Sequence, residues 1–307
     1  MQSNQYDIII VGAGPAGMTA ALYTLRAGKS TLLLEGQTYG GQIVQSRKVE
    51  NYPGAPEIGG AELAEQMMAQ LRALDAKVVS AHATGLRKTV DGYEVLTDGD
   101  VYSASAVILA TGVGHRKLGV PGEAQFIGRG VSFCATCDGM FFRRREVAVV
   151  GGGNTAVQDA LVLSEICAKV YLIHRRDGFR AEKHLLDRLA KVENIELITD
   201  TVVTEMKGEF TLQSVTLRNV KTDEVRELAV SGVFEAVGVL PQNAAFADVV
   251  ALSSDGYLLA GDDCQASAPG IFAAGDCRQK RVRQLTTATA DGTVAALSAC
   301  EYIDNKK

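Results

Sequence analysis

Short apolar runs recur along the chain, and several of them end at glycine or a charged residue. They are rich in Ile, Val and Leu, and they cover residues 6–11, 30–34, 107–110, 146–150 and 169–173. Runs of this length, bounded by turn residues, are typical of strands that are buried on both faces of a parallel sheet. The pattern therefore predicts an α/β protein.

Helical patterns alternate with these runs. They cover residues 18–27, 61–74, 154–163 and 283–302, the last rich in Ala and Thr. Residues 78–97 alternate in a hairpin-like way, residues 195–237 indicate strands separated by turns, and residues 257–260 and 270–274 are predicted as further strands.

The first predicted strand leads into the turn Gly12-Ala13-Gly14-Pro15-Ala16-Gly17, which opens a helix. Strand, glycine turn and helix form the context in which this spacing binds a dinucleotide, with the pyrophosphate at the helix N-terminus. The second strand ends at Glu35, 23 positions after Gly12, close to the spacing of an acid that holds ribose hydroxyls. Because an acid repels a 2′-phosphate, we expect FAD or NAD here rather than NADP.

The opening pattern repeats 139 residues later as Gly151-Gly152-Gly153-Asn154-Thr155-Ala156, which indicates a domain-sized duplication. At the place of Glu35, the second copy has His174-Arg175-Arg176, with Arg180 one helical turn onward. Guanidinium groups suit phosphate oxygens, so this copy predicts an NADP site. The alternative is a solvated basic start of a helix, since Asp177, Glu182 and Lys183 mix both signs nearby.

Between the two copies lies Phe133-Cys134-Ala135-Thr136-Cys137-Asp138-Gly139. Two thiols separated by two residues can form a disulfide and carry two electrons, and a Cys-x-x-Cys thiol near a helix N-terminus tends to have a lowered pKa. Asp138 is placed to move the proton. Zinc binding by Cys134 and Cys137 is the rival interpretation, but it needs two more ligands, and the other four cysteines are scattered singly.

Length and composition fit a globular protein of about two domains, with 307 residues, 47% hydrophobic and 22% charged. A net charge of −5 argues against a nucleic-acid partner. Residues 8–25 form an uncharged run of 18, but glycines interrupt it and no basic segment precedes it, so we expect neither a membrane span nor an export signal. We therefore expect a cytoplasmic protein, in which a Cys-x-x-Cys pair is more often catalytic or metal-binding than structural.

The two dinucleotide turns, Cys-Ala-Thr-Cys-Asp-Gly before the second of them, His-Arg-Arg-x-x-x-Arg after it, Ala-Thr-Gly at 110–112, Gly-Asp at 275–276 and Arg-Gln at 283–284 resemble the low-molecular-weight thioredoxin reductases, a class of pyridine nucleotide-disulfide oxidoreductase. The resemblance covers nearly the whole chain. It implies two Rossmann-like three-layer α/β domains, the second inserted in the first: an FAD domain at 1–116 and 246–307 and an NADPH domain with the dithiol at 117–245.

The resemblance also implies the cofactor contacts. For FAD they are Gly12, Gly14, Pro15, Ala16, Gly17, Glu35, Gly41, Gln42, Asn51, Ala110, Thr111, Gly112, Gly275, Asp276, Arg283 and Gln284. For NADPH they are Gly151, Gly153, Asn154, Thr155, Ala156, His174, Arg175, Arg176, Arg180 and Gly238.

In the family, electrons pass from NADPH through FAD to the disulfide and then to thioredoxin. The resemblance implies that Cys137 faces the flavin, that Cys134 attacks the partner's disulfide, and that Asp138 handles the proton. It further implies a homodimer without metal, and a rotation of the inserted domain with hinges near 113–120 and 241–248. Three alternatives remain open: a ferredoxin-dependent reductase of the same fold, an oxygen-using oxidase, and a non-enzymatic redox-sensing flavoprotein.

Overall fold

The computed structural model describes residues 4–46, 49, 51–55 and 57–306, with the backbone alone described at residues 45 and 137. Its strands, in chain order, are β1 Gln5–Val11, β2 Thr31–Glu35, β3 Lys77–Ser80, β4 Ala83–Lys88, β5 Tyr93–Thr97, β6 Val101–Leu109, β7 Val113–His115, β8 Val131–Ser132, β9 Glu146–Gly151, β10 Lys169–Ile173, β11 Ile195–Ile198, β12 Thr201–Gly208, β13 Leu212–Asn219, β14 Val225–Ala229, β15 Gly232–Ala236, β16 Val239–Pro241 and β17 Ile271–Ala273.

The α-helices are α1 Pro15–Arg26, α2 Gly60–Arg72, α3 Glu123–Phe126, α4 Ala135–Asp138, α5 Asn154–Ser164, α6 Lys183–Leu189 and α7 Leu285–Asp304. Short 3-10 helices cover Gly41–Gln45, Gly139–Phe142, Ala244–Phe246 and Gly275–Cys277. Within the described part of the chain, none of the helices has the length and apolar character needed to cross a bilayer.

The chain forms two compact units, and the second is an insertion in the first. Residues 1–114 and 240–307 belong to the first unit, and residues 115–239 to the second. Both crossings fall within the short strands β7 and β16, which pair with each other.

In the first unit, one sheet has the strand order β3-β2-β1-β6-β5-β4. Strand β17 also pairs with β6, at residues 107–109, beyond the residues 101–104 that pair with β5. Strands β3, β2, β1, β6 and β17 run parallel, whereas β4 and β5 are antiparallel to their neighbours. Because successive side chains of a strand point to opposite faces, Ile8 and Ile10 pack in the core that includes residues of α1, α2 and α7. Ile9 and Val11 pack in the core on the other face, with Val95 of β5.

In the second unit, the parallel sheet has the order β11-β10-β9-β15-β8. Its core on one face includes Val149, Ala160 of α5 and Leu185 of α6. The core on the other face includes residues of the antiparallel sheet β12-β13-β14. Each unit is therefore a three-layer α/β structure, which confirms the predicted fold class.

The return crossing lies earlier than the sequence indicated. The first unit resumes at Leu240, six residues before the predicted position 246. Asn243 explains the difference, because its side chain is buried in this unit. Asn243 donates hydrogen bonds to the carbonyl groups of Gly256 (3.0 Å) and Cys277 (3.1 Å), and Phe246 packs beneath the first sheet.

Candidate functional site

The first glycine turn is built by close backbone contacts that exclude side chains. Gly12 has φ +105°, and a Cβ there would lie 2.4 Å from the carbonyl oxygen of Ala110. A Cβ on Gly17 would lie 1.8 Å from the carbonyl oxygen of Gly12. Both contacts are shorter than van der Waals distance, so α1 and the end of β6 approach the turn as closely as they do only because these positions are glycine.

Gly14 differs from both of these glycines, because no described residue beyond its chain neighbours has an atom within 4 Å of the Cβ that it lacks. It is the N-cap of α1, and no side chain caps the helix there; Pro15 and Ala16 form the first turn. The open face and the free amides at a helix N-terminus fit the pyrophosphate of a dinucleotide.

Glu35 lies beside this turn, at the end of β2. Its Oε2 accepts a hydrogen bond from the amide of Ala13 (2.7 Å), and its Oε1 accepts one from the amide of Gln37 (2.8 Å). The carboxylate therefore braces the glycine turn, while each oxygen keeps acceptor capacity for a hydroxyl group.

The loop after β2 also approaches the turn. A Cβ on Gly41 would lie 3.3 Å from the Cα of Gly14. The side-chain amide of Gln42 donates to the carbonyl of Val113 (2.6 Å), and the amide of Asn51 donates to Oε1 of Gln284 (3.2 Å).

Parallel strand pairing places the remaining predicted FAD residues at the same edge of the first sheet. Val11 of β1 and Ala273 of β17 both pair with Leu109 of β6, so the segments that follow these strands leave the sheet side by side. They are the first glycine turn, Ala110-Thr111-Gly112 and Gly275-Asp276. Arg283 then donates from Nε to the carbonyl of Asp276 (3.2 Å), and its guanidinium lies 4.0 Å from the centre of the Tyr257 ring. The first unit thus collects all sixteen predicted FAD residues around one sheet edge and its adjoining loops.

The second glycine turn repeats this geometry between β9 and α5. Gly151 has φ +156°, and a Cβ there would lie 2.4 Å from the carbonyl oxygen of Ala236. Gly153 is the N-cap of α5 and lacks a side-chain cap, and within the described part of the chain no residue beyond its own neighbours has an atom within 4 Å of its missing Cβ. Asn154 exchanges two hydrogen bonds with Glu182, Thr155 is exposed, and Ala156 is buried against the sheet. Gly238, with φ +105°, follows β15 beside this turn.

His174 and the three arginines lie at the end of β10, next to β9. A Cβ on Gly152 would lie 2.2 Å from the His174 ring, so the imidazole covers the turn. Burial, and next the charge of Arg175, lower the pKa of His174. Its buried Nε2 forms no hydrogen bond with the residues that the structure describes. Arg175, Arg176 and Arg180 are exposed, and among the described residues no carboxylate forms an ion pair with them.

The cysteine motif follows β8 in the same unit. Cys134 is disulfide-bonded, and it directly precedes α4. The side chain of Cys137 lies outside the described part of the chain. Cys167, Cys264, Cys277 and Cys300 are free and buried.

Ser132, which the sequence did not single out, organises this motif. Its hydroxyl donates to Oδ2 of Asp138 (2.6 Å) and accepts the backbone amide of Cys134 (3.1 Å). The hydroxyl of Thr136 lies 3.3 Å from the sulfur of Cys134. Ser132 therefore holds the predicted proton-handling carboxyl in a fixed orientation beside the cysteine backbone.

Asn243 is a second residue that sequence analysis did not predict. Fully buried, it accepts the hydroxyl of Thr111 (2.8 Å) while donating to the carbonyl of Cys277. It therefore ties the Ala-Thr-Gly turn to the segment after Asp276. The only sequence signal was its position in the polar group Pro241-Gln242-Asn243, which is no more than a turn pattern.

Comparison with known proteins agrees with this geometry. Residues 6–292 match the pyridine nucleotide-disulphide oxidoreductase family. The chain is 46% identical over 300 residues to a thioredoxin reductase of Treponema pallidum (strain Nichols), with 97% of each chain covered. Its structure is similar to the crystal structures of thioredoxin reductase from Lactococcus lactis (TM-score 0.90, 43% identity, 98% and 99% covered) and from T. acidophilum (TM-score 0.87, 34% identity, 99% and 100% covered). The chain therefore belongs to the pyridine nucleotide-disulphide oxidoreductase family and, within it, to the low-molecular-weight thioredoxin reductases.

Proposed function

We propose that this chain is an NADPH-dependent thioredoxin-disulfide reductase that contains FAD. The observation that carries the proposal is the disulfide-bonded Cys134, which lies at the start of α4 with Asp138 held beside it by Ser132. The same inserted unit has the second dinucleotide turn, and the first unit has the other one.

We assign FAD to the first unit, residues 1–114 and 240–307, and NADPH to the inserted unit, residues 115–239, in place of the predicted bounds 1–116 with 246–307 and 117–245. The open face of Gly14, the uncapped N-terminus of α1 and the carboxylate of Glu35 support FAD binding in the first. The open face of Gly153 and the uncapped N-terminus of α5 support a nucleotide in the second. When bound, the two cofactors supply two-electron transfer to a disulfide.

The choice of NADPH over NADH rests on charge. Arg175, Arg176 and Arg180 are exposed at the edge of the second turn without a carboxylate partner among the described residues. An arginine fork binds phosphate oxygens in two-point contacts, which favours the 2′-phosphate of NADPH. Glu35 holds the corresponding place in the first unit, where it favours ribose hydroxyls.

The redox pair is Cys134 and Cys137. Cys134 is bonded while the four other cysteines with described side chains are free, which supports this pairing. Two electrons and two protons convert the disulfide to a dithiol. The Cys134 thiolate then attacks the disulfide of thioredoxin and forms a mixed disulfide; attack by Cys137 on the Cys134 sulfur releases reduced thioredoxin. Asp138 accepts and returns the proton, and Ser132 keeps its carboxyl in place.

The surface after the dithiol supports a protein substrate. Phe141 is 76% exposed and Met140 is 47% exposed, and both follow Asp138 within three residues. Exposed large apolar side chains next to a reactive group are typical of a docking surface. We therefore assign this turn to thioredoxin contact.

The second dinucleotide turn and the dithiol occupy the same inserted unit. This arrangement supports a rotation of the unit during turnover, with hinges at the crossings near 113–120 and 241–248. We also expect a homodimer, which sedimentation equilibrium of the purified protein would test.

Anaerobic stopped-flow absorbance at the flavin band tests the function. We expect NADPH to bleach the flavin much faster than NADH or reduced ferredoxin does. The variant Cys134→Ser should still permit this bleaching while transfer to thioredoxin is lost. Equal rates with NADPH and NADH, fastest reduction by ferredoxin, or thioredoxin reduction by the variant would contradict the proposal.

A further inference from the structure

A network of buried charges lies behind the turn Gly275–Cys277, and its centre is Asp291 of α7. Asp291 is 8% exposed. Its Oδ2 accepts hydrogen bonds from the amide of Gly275 (3.1 Å) and from Nζ of Lys280 (2.9 Å). Arg278 donates to the same carboxylate from Nε (3.3 Å) and Nη2 (2.9 Å). One carboxylate thus holds two cations.

The second carboxylate of the network is Asp276. Its Oδ1 is buried and has no hydrogen-bond partner in the described part of the chain, but it lies 3.8 Å from Nζ of Lys280. Lys280, whose side chain is 9% exposed, therefore lies between Asp291 and Asp276.

The two cations behave differently. Arg278 also donates from Nη1 to the carbonyl groups of Ala260 (3.4 Å) and Gly261 (2.9 Å), so it braces the loop before β17. Lys280 contacts the two carboxylates and the hydroxyl of Thr287 (3.4 Å), and no hydrogen bond to a backbone carbonyl is formed by its Nζ among the described residues. The contacts of Arg278 are those of a structural brace, whereas those of Lys280 are directed at the second carboxylate.

We propose that Lys280, held by Asp291, is a positioning residue of the flavin site, which fixes the Asp276 carboxylate as a hydrogen-bond acceptor for a hydroxyl group of bound FAD. This inference rests on the proposed function, because Asp276 is one of the FAD contacts that the family resemblance implies. An ionised carboxylate only accepts hydrogen bonds and binds hydroxyl donors more strongly than a neutral carboxyl does.

The electrostatics of Asp276 support this role. Burial raises the pKa of Asp276, and the charge of Asp291 acts in the same direction. Lys280 and then Arg283 oppose the increase, with Lys280 the larger of the two. Removing the charge of Lys280 therefore raises the pKa of Asp276 further, so that its carboxyl group becomes protonated at a higher pH.

The test is the pH dependence of FAD affinity. The dissociation constant of the holoenzyme for FAD is measured between pH 6 and 9 from the fluorescence of released flavin. We expect an almost constant value for the wild type. In Lys280→Met we expect about tenfold weaker binding at pH 6, with recovery towards pH 9 as Asp276 ionises. Lys280→Arg, which keeps the charge, should restore the flat profile.

Two further variants separate this role from a structural one. Arg278→Gln should lower the melting temperature while its FAD profile stays flat. In an Asp276→Asn background, Lys280→Met should cause no further change in FAD affinity. A flat profile in Lys280→Met, or an undiminished effect in the Asp276→Asn background, would overturn the inference. A wild-type protein that binds no FAD would instead overturn the proposed function.

Discussion

Glu235 is a buried carboxyl group near the end of β15, and we predict that Glu235→Gln changes the pH dependence of stability. The residue is 3% exposed, and no hydrogen bond joins either of its carboxyl oxygens to another described residue. Burial, followed by the charge of Glu123, raises the pKa of Glu235 from 4.5 to about 8. The charge of Lys117 acts weakly in the opposite direction.

Glu123 is itself fixed in place. Its carboxylate accepts the backbone amides of Leu118 (3.2 Å), Gly119 (2.5 Å) and Val120 (3.2 Å). A second negative charge on Glu235 would therefore face a carboxylate that cannot turn away without breaking these bonds. The folded unit keeps Glu235 protonated instead.

The sign of the effect follows from proton linkage. Below pH 4.5, the folded and unfolded chains both keep the proton on Glu235. Between pH 4.5 and 8, only the folded chain keeps it, so the free energy of unfolding falls as the pH rises. Above pH 8 both states are ionised and the fall ends. The shift corresponds to at most about 5 kcal/mol, or about 1.4 kcal/mol per pH unit.

Glutamine cannot titrate, so the substitution removes the fall in the free energy of unfolding that Glu235 causes between pH 4.5 and 8. Its buried amide adds a cost of about 1–3 kcal/mol that does not depend on pH. The stability of Glu235→Gln relative to the wild type should therefore increase from pH 5 to pH 8. Because a chain with two units need not unfold in one step, the readout is local: hydrogen exchange of the amides of Val233 and Phe234, both fully buried.

The variant and the wild type are compared at each pH, which cancels the intrinsic pH dependence of exchange. Glu193→Gln, at an exposed position of the same unit, is the matched control and should show no slope. A constant difference between Glu235→Gln and the wild type from pH 5 to 8.5 would refute the reasoning.

Three further predictions concern the proposed cofactor and dithiol sites. The Cβ atoms of Gly14→Ala and Gly153→Ala meet no atom within 4 Å from any described residue other than their chain neighbours. Each variant should therefore keep its melting temperature as apoprotein yet weaken binding of FAD or of NADPH, respectively, by tenfold or more, as measured by titration calorimetry. Gly17→Ala, whose Cβ meets a carbonyl oxygen at 1.8 Å, should instead lower stability. Unchanged cofactor affinity in the first two variants would show that the open faces are not nucleotide sites. Arg176→Ala should raise the KM for NADPH about tenfold and leave that for NADH unchanged in steady-state assays; an equal rise for both would rule out 2′-phosphate recognition. Ser132→Ala should slow thioredoxin reduction about tenfold without slowing flavin bleaching by NADPH in stopped-flow mixing, and equal loss in both steps would argue against orientation of Asp138.

Some expectations from sequence were wrong in detail. Residues 257–260 were expected to form a strand, but only isolated bridges occur there, at Leu258 and Ala260. Leu258 bridges to both Leu252 and Arg278, and Ala260 bridges to Ala266, so these residues do not pair along one continuous neighbouring strand. An apolar alternation predicts extended backbone, but it cannot indicate whether a neighbour of matching length is present.

Local patterns determined the two glycine turns, the class of fold and the position of the Cys-x-x-Cys pair. Apolar runs, glycine spacing and a Cys-x-x-Cys pair each express a constraint that acts within about ten residues, so the printed sequence contains it in full.

Only the tertiary structure determined the partners of the buried polar groups. Thr111 meets Asn243, and Glu235 meets Glu123, across more than 100 positions in each case. Lys280 and Asp291 are closer in sequence, but their hydrogen bond, and the one from the Gly275 amide to Asp291, depend on how α7 packs behind the turn after β17. A buried charge or amide needs a hydrogen-bond or ion-pair partner, and that partner can lie on a segment that is distant in sequence. Whether the segment comes close depends on the packing of whole strands and helices.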